Sequence, residues 1–270
     1  MSQIVLKIAL FWKYVNQTLA SWLLCGDGST TAMRNAYIAW CKQNNLNTVM
    51  LCLNNDRYMS LFKPRKYMRV WDDARVDITG RYIMQLKAAG LIVAIVFWDN
   101  PADPEGKYAP AWTCSDDLHA QFISLVCPAL NPYVDLYLIG CESGRGTEGI
   151  PGRTSGWVEA AIDVTKKYAS GRLVGTHEQG VGWKDNKPYM IRRVPNNADF
   201  HIYETSNHPA NGNDVPVSDM VQEVTFLVSR AHGVPIIVGE HNTDILGAHS
   251  MAQARAMAGI DGVYGVDGPM

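Results

Sequence analysis

Two strings carry the residues best suited to chemistry. Tyr137-Leu-Ile-Gly-Cys-Glu142-Ser-Gly and Pro235-Ile-Ile-Val-Gly-Glu240-His-Asn each run through apolar residues of strand length into a glutamate, then into turn residues. A carboxylate at the last residue of a buried strand is costly to desolvate, so packing alone does not account for it. If both runs belong to one parallel barrel, the two carboxyl groups face each other across its mouth. A pair so placed can protonate a leaving glycosidic oxygen on one side and attack the sugar carbon on the other. Taken singly, either glutamate also fits an exposed loop position just past a strand.

Other polar residues gather at the same place in the pattern. Asp27 follows the first apolar run, Asn54 the second, Trp98 and Asp99 the third, and His177 and Glu178 the fifth. His201 and Tyr203 end the sixth run, and Asp267 follows the eighth. Strand alternation puts Glu142 in phase with Leu138 and Gly140, and Glu240 in phase with Ile236 and Val238. His201 and Tyr203 share a phase, which would let Tyr203 donate a hydrogen bond to Glu240 from the neighbouring strand. Trp98 and Trp183, near the strand tips, offer flat faces for a sugar ring.

Positioning these residues takes eight strands. Apolar runs at Ser21–Gly26, Thr48–Asn54, Leu91–Trp98, Val134–Cys141, Arg172–Thr176, Phe200–Tyr203, Pro235–Gly239 and Gly262–Val266 alternate with helical segments. Helices are expected from Thr30 or Thr31 to Asn44, near Asp77–Ala89, and over Asp116–Leu125, Thr154–Tyr168, Pro216–His232 and Ser250–Ala258. The spacing predicts a single-domain (β/α)8 TIM barrel over residues 21–270, with 1–20 as an N-terminal extension or a barrel-bottom element. Only Val181–Asn197, with Pro188 and Pro195, breaks the alternation. It has no helical pattern and is expected to form one wall of the cleft. A doubly wound open sheet would carry a glycine-rich phosphate loop in its first turn, and Cys25-Gly-Asp-Gly28 is not that motif.

The bulk composition fits this picture. The chain has 270 residues, 47% of them hydrophobic and 19% charged, enough to bury the core of one large domain. Its formal net charge of -2, with Lys63-Pro-Arg-Lys66 as the one basic cluster, leaves no footprint for nucleic acid. The apolar stretch Ile4–Trp12 is interrupted by Lys7, is too short to span a membrane and lacks a small-residue cleavage site. Six cysteines show no CxxC spacing, so reduced thiols and synthesis in the cytoplasm are expected. No cofactor is implied, and no feature specifies an oligomeric state.

On these motifs the chain resembles the retaining (β/α)8 glycoside hydrolases typified by the cellulase- and mannanase-like enzymes of family 5. Asn45-Leu-Asn-Thr-Val49 is similar to that group's entry into strand two, His201-Ile-Tyr203 to its strand-six motif, and Pro235–Glu240 to its nucleophile strand. The resemblance implies Glu142 as acid/base, Glu240 as nucleophile and a β-linked poly- or oligosaccharide as substrate. The other strand-end residues would then bind that carbohydrate. Three family positions differ. Cys141 stands where an asparagine precedes the acid/base, Met50 and Leu51 replace the strand-two arginine region, and Gly262–Asp267 carries no tryptophan.

Two other readings are compatible with the pattern. A metal-dependent, amidohydrolase-like barrel would use His177, His201 and Asp267 as ligands, although Ser21–Gly28 lacks the expected histidine pair and no HExxH compensates. A carbohydrate-binding barrel without catalysis would keep the fold and lose the chemistry. On the glycoside hydrolase reading the enzyme needs no metal.

Overall fold

The computed structural model describes residues 8–9, 31–43, 47–52, 81, 83–97, 116–140, 156–178, 183–184, 187–188, 194–203, 216–238 and 255–266. Ten strands are present among them: β1 Ile8–Ala9, β2 Thr48–Cys52, β3 Ile92–Val96, β4 Leu136–Leu138, β5 Leu173–Glu178, β6 Trp183–Lys184, β7 Lys187–Pro188, β8 Phe200–Tyr203, β9 Ile236–Val238 and β10 Val263–Val266. Four helices accompany them: α1 Thr31–Gln43, α2 Asp116–Leu130, α3 Trp157–Tyr168 and α4 Val217–Arg230. Residues 83–88 and 255–258 are helical as well.

Eight strands form one sheet in the order β1-β2-β3-β4-β5-β8-β9-β10, and every pair is parallel. Sequential order with helical crossovers is the topology of a (β/α)8 barrel. The strand beside β2 is Ile8–Ala9, whereas the sequence placed the run Ser21–Gly26 there; that run lies outside the described residues. Asp27, expected to follow that run, lies outside the described residues as well. Between β5 and β8 the described residues form no helix. Trp183–Lys184 pairs antiparallel with Lys187–Pro188, in keeping with the two prolines of that segment.

Apolar residues sort into three layers that give the direction of each side chain. Met50, Ala94, Val96, Leu136, Leu138, Phe200, Ile202 and Ile237 pack together on the inner face of the sheet. Val49, Val93, Ile95, Tyr137 and Val174 turn the other way, onto α1, α2 and α3. Ile236 and Val238 turn outward onto Met220, Val224 and Leu227 of α4. Alternation at a period of two thus holds through β2 to β4, as strands covered on both faces require.

Two matching devices fix the strand starts. Asp135, just before β4, accepts the Val93 amide of β3 at 2.9 Å and pairs with Lys87 at 2.5 Å. Asp199, just before β8, accepts the Val174 amide of β5 at 2.8 Å and pairs with Lys166 at 2.6 Å. Each carboxylate satisfies a backbone donor of the preceding strand and is held by a lysine of the helix before that strand. Asn197 adds a tie to α3 through the Glu159 carbonyl at 2.9 Å and the Asp163 carboxylate at 2.8 Å. The loop ahead of β8 is thereby anchored without a helix of its own.

Helix α2 continues to Leu130, past the expected end at Leu125 and through Pro128. Burial of Val126, Cys127 and Leu130 offsets the lost backbone bond at the proline. Cys41 and Cys127 are free, buried thiols, pushed by desolvation up to about 11 and about 12. Both behave as small apolar residues, so they are inert at neutral pH.

Candidate active site

Strand β5 ends in a run of polar residues, and its alternation decides what each can reach. Val174 packs outward, whereas Gly175 faces in: a Cβ there would lie 2.6 Å from the Phe200 ring. Thr176 and Glu178 accordingly share the outward face, and His177 shares the inward one. All three are buried and belong to the strand itself, not to the loop after it. On β8, Phe200 and Ile202 point in, so His201 and Tyr203 point out; Tyr203 packs with Met220 and Val224 of α4.

The shared phase of His201 and Tyr203 was expected from the sequence, without the face it would occupy. They do share a phase, but it is the outer one. The register Thr176↔His201 and Glu178↔Tyr203 leaves no room for the alternative, since the apolar Phe200 and Ile202 already occupy the inner face. Thr176 Oγ1 lies 2.7 Å from His201 Nδ1, and the His201 and Tyr203 rings are 5.7 Å apart. Burial pushes His201 down to about 4, partly opposed by the Pro195 carbonyl, so the imidazole is neutral. Burial first, then the neighbouring Glu178 charge, hold the Tyr203 hydroxyl well above its ordinary value. Thr176 was not singled out from sequence; its hydroxyl becomes meaningful only once β5 and β8 are in register.

His177 stands apart on the inner face. It is fully buried, and burial pushes its imidazole down to about 4. Leu138 pairs with Gly175, so two residues further on Gly140 and His177 come level. Gly140 is buried and carries no side chain, so β4 sends none toward the imidazole at that level.

Glu142, Glu240, Asp27, Asn54, Trp98, Asp99 and Asp267 lie outside the described residues. Trp183 is placed by its backbone on the β6–β7 hairpin. The strands leading to the two glutamates are described. Leu136 and Leu138 face inward, so the phase expected for Glu142 is the interior one. Ile236 and Val238, expected to share an interior phase with Glu240, instead face α4, and Ile237 alone of β9 faces in.

The same sorting bears on metal chemistry. His177 and His201 lie on opposite faces of the sheet and cannot close on one ion, which removes the ligand set of the amidohydrolase-like reading. Among the described residues no three side chains of ligating type converge. No helix among them is long and apolar enough to cross a membrane.

The fold has known counterparts. No protein-family profile and no curated protein matches the sequence. Among solved structures, a family 5, subfamily 18 glycoside hydrolase variant from Streptomyces cattleya, in complex with Manβ1-4GlcNAc, superimposes with a TM-score of 0.62 at 15% identity. The match covers 93% of this chain and 67% of that one. An endo-1,4-β-D-mannanase from Thermotoga petrophila, solved with maltose and glycerol, gives 0.60 at 13% identity over 88% of this chain and 84% of that one. An exo-β-1,4-mannosidase from an Opitutaceae bacterium gives 0.59 at 15% identity, covering 91% of this chain. The chain spans 48% of the mannosidase and 64% of a subfamily 18 enzyme from Bifidobacterium longum. The fold is that of the family 5 glycoside hydrolases, reached at low sequence identity.

Proposed function

We propose that this chain is a retaining glycoside hydrolase, built on a closed (β/α)8 barrel, that cleaves a β-linked poly- or oligosaccharide. Glu142 serves as acid/base and Glu240 as nucleophile. The observation that carries the reading is the inward phase of β4, where Leu136 and Leu138 pack in the interior and Glu142 follows two residues beyond buried Gly140. Carbon–oxygen cleavage with retention needs two carboxyl groups about 5 Å apart, one protonated and one ionised. Glu240 comes two residues after Val238, which faces α4, so its role as nucleophile requires a change of strand phase beyond β9, and a glycine at position 239 would permit one. The named activities of the fold neighbours, a mannanase and a mannosidase, favour a β-mannosidic linkage. The further strand-end residues Asn54, Trp98, Asp99 and Asp267, with Trp183 of the hairpin, would line the sugar subsites.

The test separates the two roles. Glu240→Ala removes the covalent step, so azide should restore turnover as a glycosyl azide of inverted configuration. Glu142→Ala should hurt substrates with poor leaving groups most, and azide should release a retained product from an activated aryl glycoside. Parent-like rates in either variant, on a substrate the parent cleaves, would sink the assignment. Binding of β-mannan or another β-glycan without release of reducing ends would select a carbohydrate-binding barrel instead.

A further inference from the structure

We propose that a groove on the outer wall, between α2 and α3, is a carbohydrate-binding site separate from the mouth, with a neutral β-linked glycan as its ligand. The choice of glycan rests on the hydrolase reading above. Asp117, Ala120, Gln121 and Ser124 of α2 line the groove together with Tyr168, the last residue of α3, around a space of about 470 Å³. A space of that size is ample for a small ligand. The helical repeat accounts for the lining: positions 117, 121 and 124 recur on one face of α2, over about 10 Å at the usual rise per residue. Ala120 is short and leaves the groove its depth. Leu125 follows one turn after Gln121 on the same side and is 41% exposed, so apolar surface borders the polar row.

Tyr168 is held in place although it ends a helix. Its carbonyl accepts from Asn131 Nδ2 at 2.9 Å, Asn131 Oδ1 accepts from the Tyr137 hydroxyl at 2.9 Å, and the Asn131 carbonyl accepts from Arg172 at 2.7 Å. The half-buried ring packs against the core beneath the two helices. A ring fixed in this way loses little freedom on meeting the C–H face of a pyranose. The α2 side of the groove supplies a carboxylate, an amide and a hydroxyl in a row. Asp117 and Gln121 are exposed, and Ser124 donates to the Gln121 carbonyl at 2.7 Å, which leaves its oxygen free to accept. The charged group in this lining is an anion. Lys167, whose ammonium lies 5.3 Å from the centre of the Tyr168 ring, is not part of it. Such a lining repels phosphates and acidic peptides and suits a neutral ligand rich in hydroxyl groups. An apolar peptide would cover the three polar groups without pairing them. A second hold on a polymeric substrate raises its effective concentration at the mouth.

The experiment uses the whole chain and two readouts: retardation in native gels containing soluble β-mannan or β-glucan, and turnover of a soluble aryl β-mannoside. Tyr168→Ala, and Asp117→Ala combined with Gln121→Ala, should each weaken retardation about fivefold or more. Both should leave aryl mannoside turnover unchanged, because no lining residue belongs to the mouth. Tyr168→Phe keeps the ring and should be retarded as the parent is. The double variant replaces exposed residues only, which covers the case that Tyr168→Ala does not fold. Parent-like retardation in the double variant overturns the site, and so does aryl mannoside turnover that falls in step with retardation. A parent that cleaves the aryl glycoside but is retarded in neither gel leaves the hydrolase reading standing, and this inference alone fails. Groove-dependent retardation of a parent that cleaves no β-glycoside keeps the site and removes the hydrolase reading. A parent that neither cleaves nor binds removes both.

Discussion

Thr176 Oγ1 and His201 Nδ1 meet at 2.7 Å across the β5–β8 pair, on the face of the sheet turned away from the mouth. The bond satisfies one polar atom of a histidine that is otherwise enclosed, and it couples two strands whose connection lacks a helix among the described residues. It makes His201 a structural residue at the start of a segment where family resemblance suggested a substrate contact. Its energetic weight follows from burial: a lone unsatisfied nitrogen there would cost roughly 1–3 kcal/mol.

The two buried histidines make stability depend on acid. His177 and His201 have folded-state pKa values of about 4, below the ordinary value of 6.5. Between those values the unfolded chain binds more protons, so stability is fully present above pH 6.5 and is lost as pH falls toward 4. The melting temperature should drop by roughly 5–10 °C between pH 7 and pH 5. His201→Gln should flatten that slope; a slope equal to the parent's would show that His201 is not held neutral.

Close packing at Gly175 gives a second prediction. An added Cβ would sit 2.6–2.7 Å from the Phe200 ring, well inside contact distance. Gly175→Ala should destabilise by about 1–3 kcal/mol in urea unfolding, and Phe200→Leu in the same chain should recover part of the loss. Additive effects of the two substitutions would rule out the contact.

Asp199 should matter more than its lysine partner. The Lys166–Asp199 ion pair is about one-third exposed on both sides, so Lys166→Ala should cost under about 1 kcal/mol. Asp199→Ala also strands the Val174 amide and should cost about 1–3 kcal/mol. Asp199→Asn keeps an oxygen for that amide and should fall between the two. Equal losses in Lys166→Ala and Asp199→Ala would assign the effect to the ion pair instead.

Chelation checks the metal question independently. Because His177 and His201 lie on opposite faces, prolonged exposure to a strong chelator should leave both activity and melting temperature unchanged. Activity lost to the chelator and restored by a divalent ion would require a ligand set other than this pair.

Much of the fold was legible in the sequence because burial leaves periodic marks. The runs at Thr48, Leu91, Phe200, Pro235 and Gly262 became strands, and Pro188 and Pro195 agree with the lack of a helix among the described residues between β5 and β8. Local pattern did not reveal that Ile8–Ala9 would take the place beside β2, since a two-residue strand has no period to read. The reach of α2 through Pro128 was hidden for a related reason: tertiary burial outweighs a local helix-breaking signal.

The site shows the same division more sharply. Residue types and order along the chain determined that two glutamates end two apolar runs and that polar residues crowd the ends of others. Which face each one occupies was decided only by the tertiary structure. A strand's sequence fixes that His201 and Tyr203 share a side, and that Ile236 and Val238 do too, but alternation has two phases of equal local validity. The choice was made by what lay on either side: Phe200 and Ile202 filled the interior, so His201 and Tyr203 went outward, and α4 claimed Ile236 and Val238.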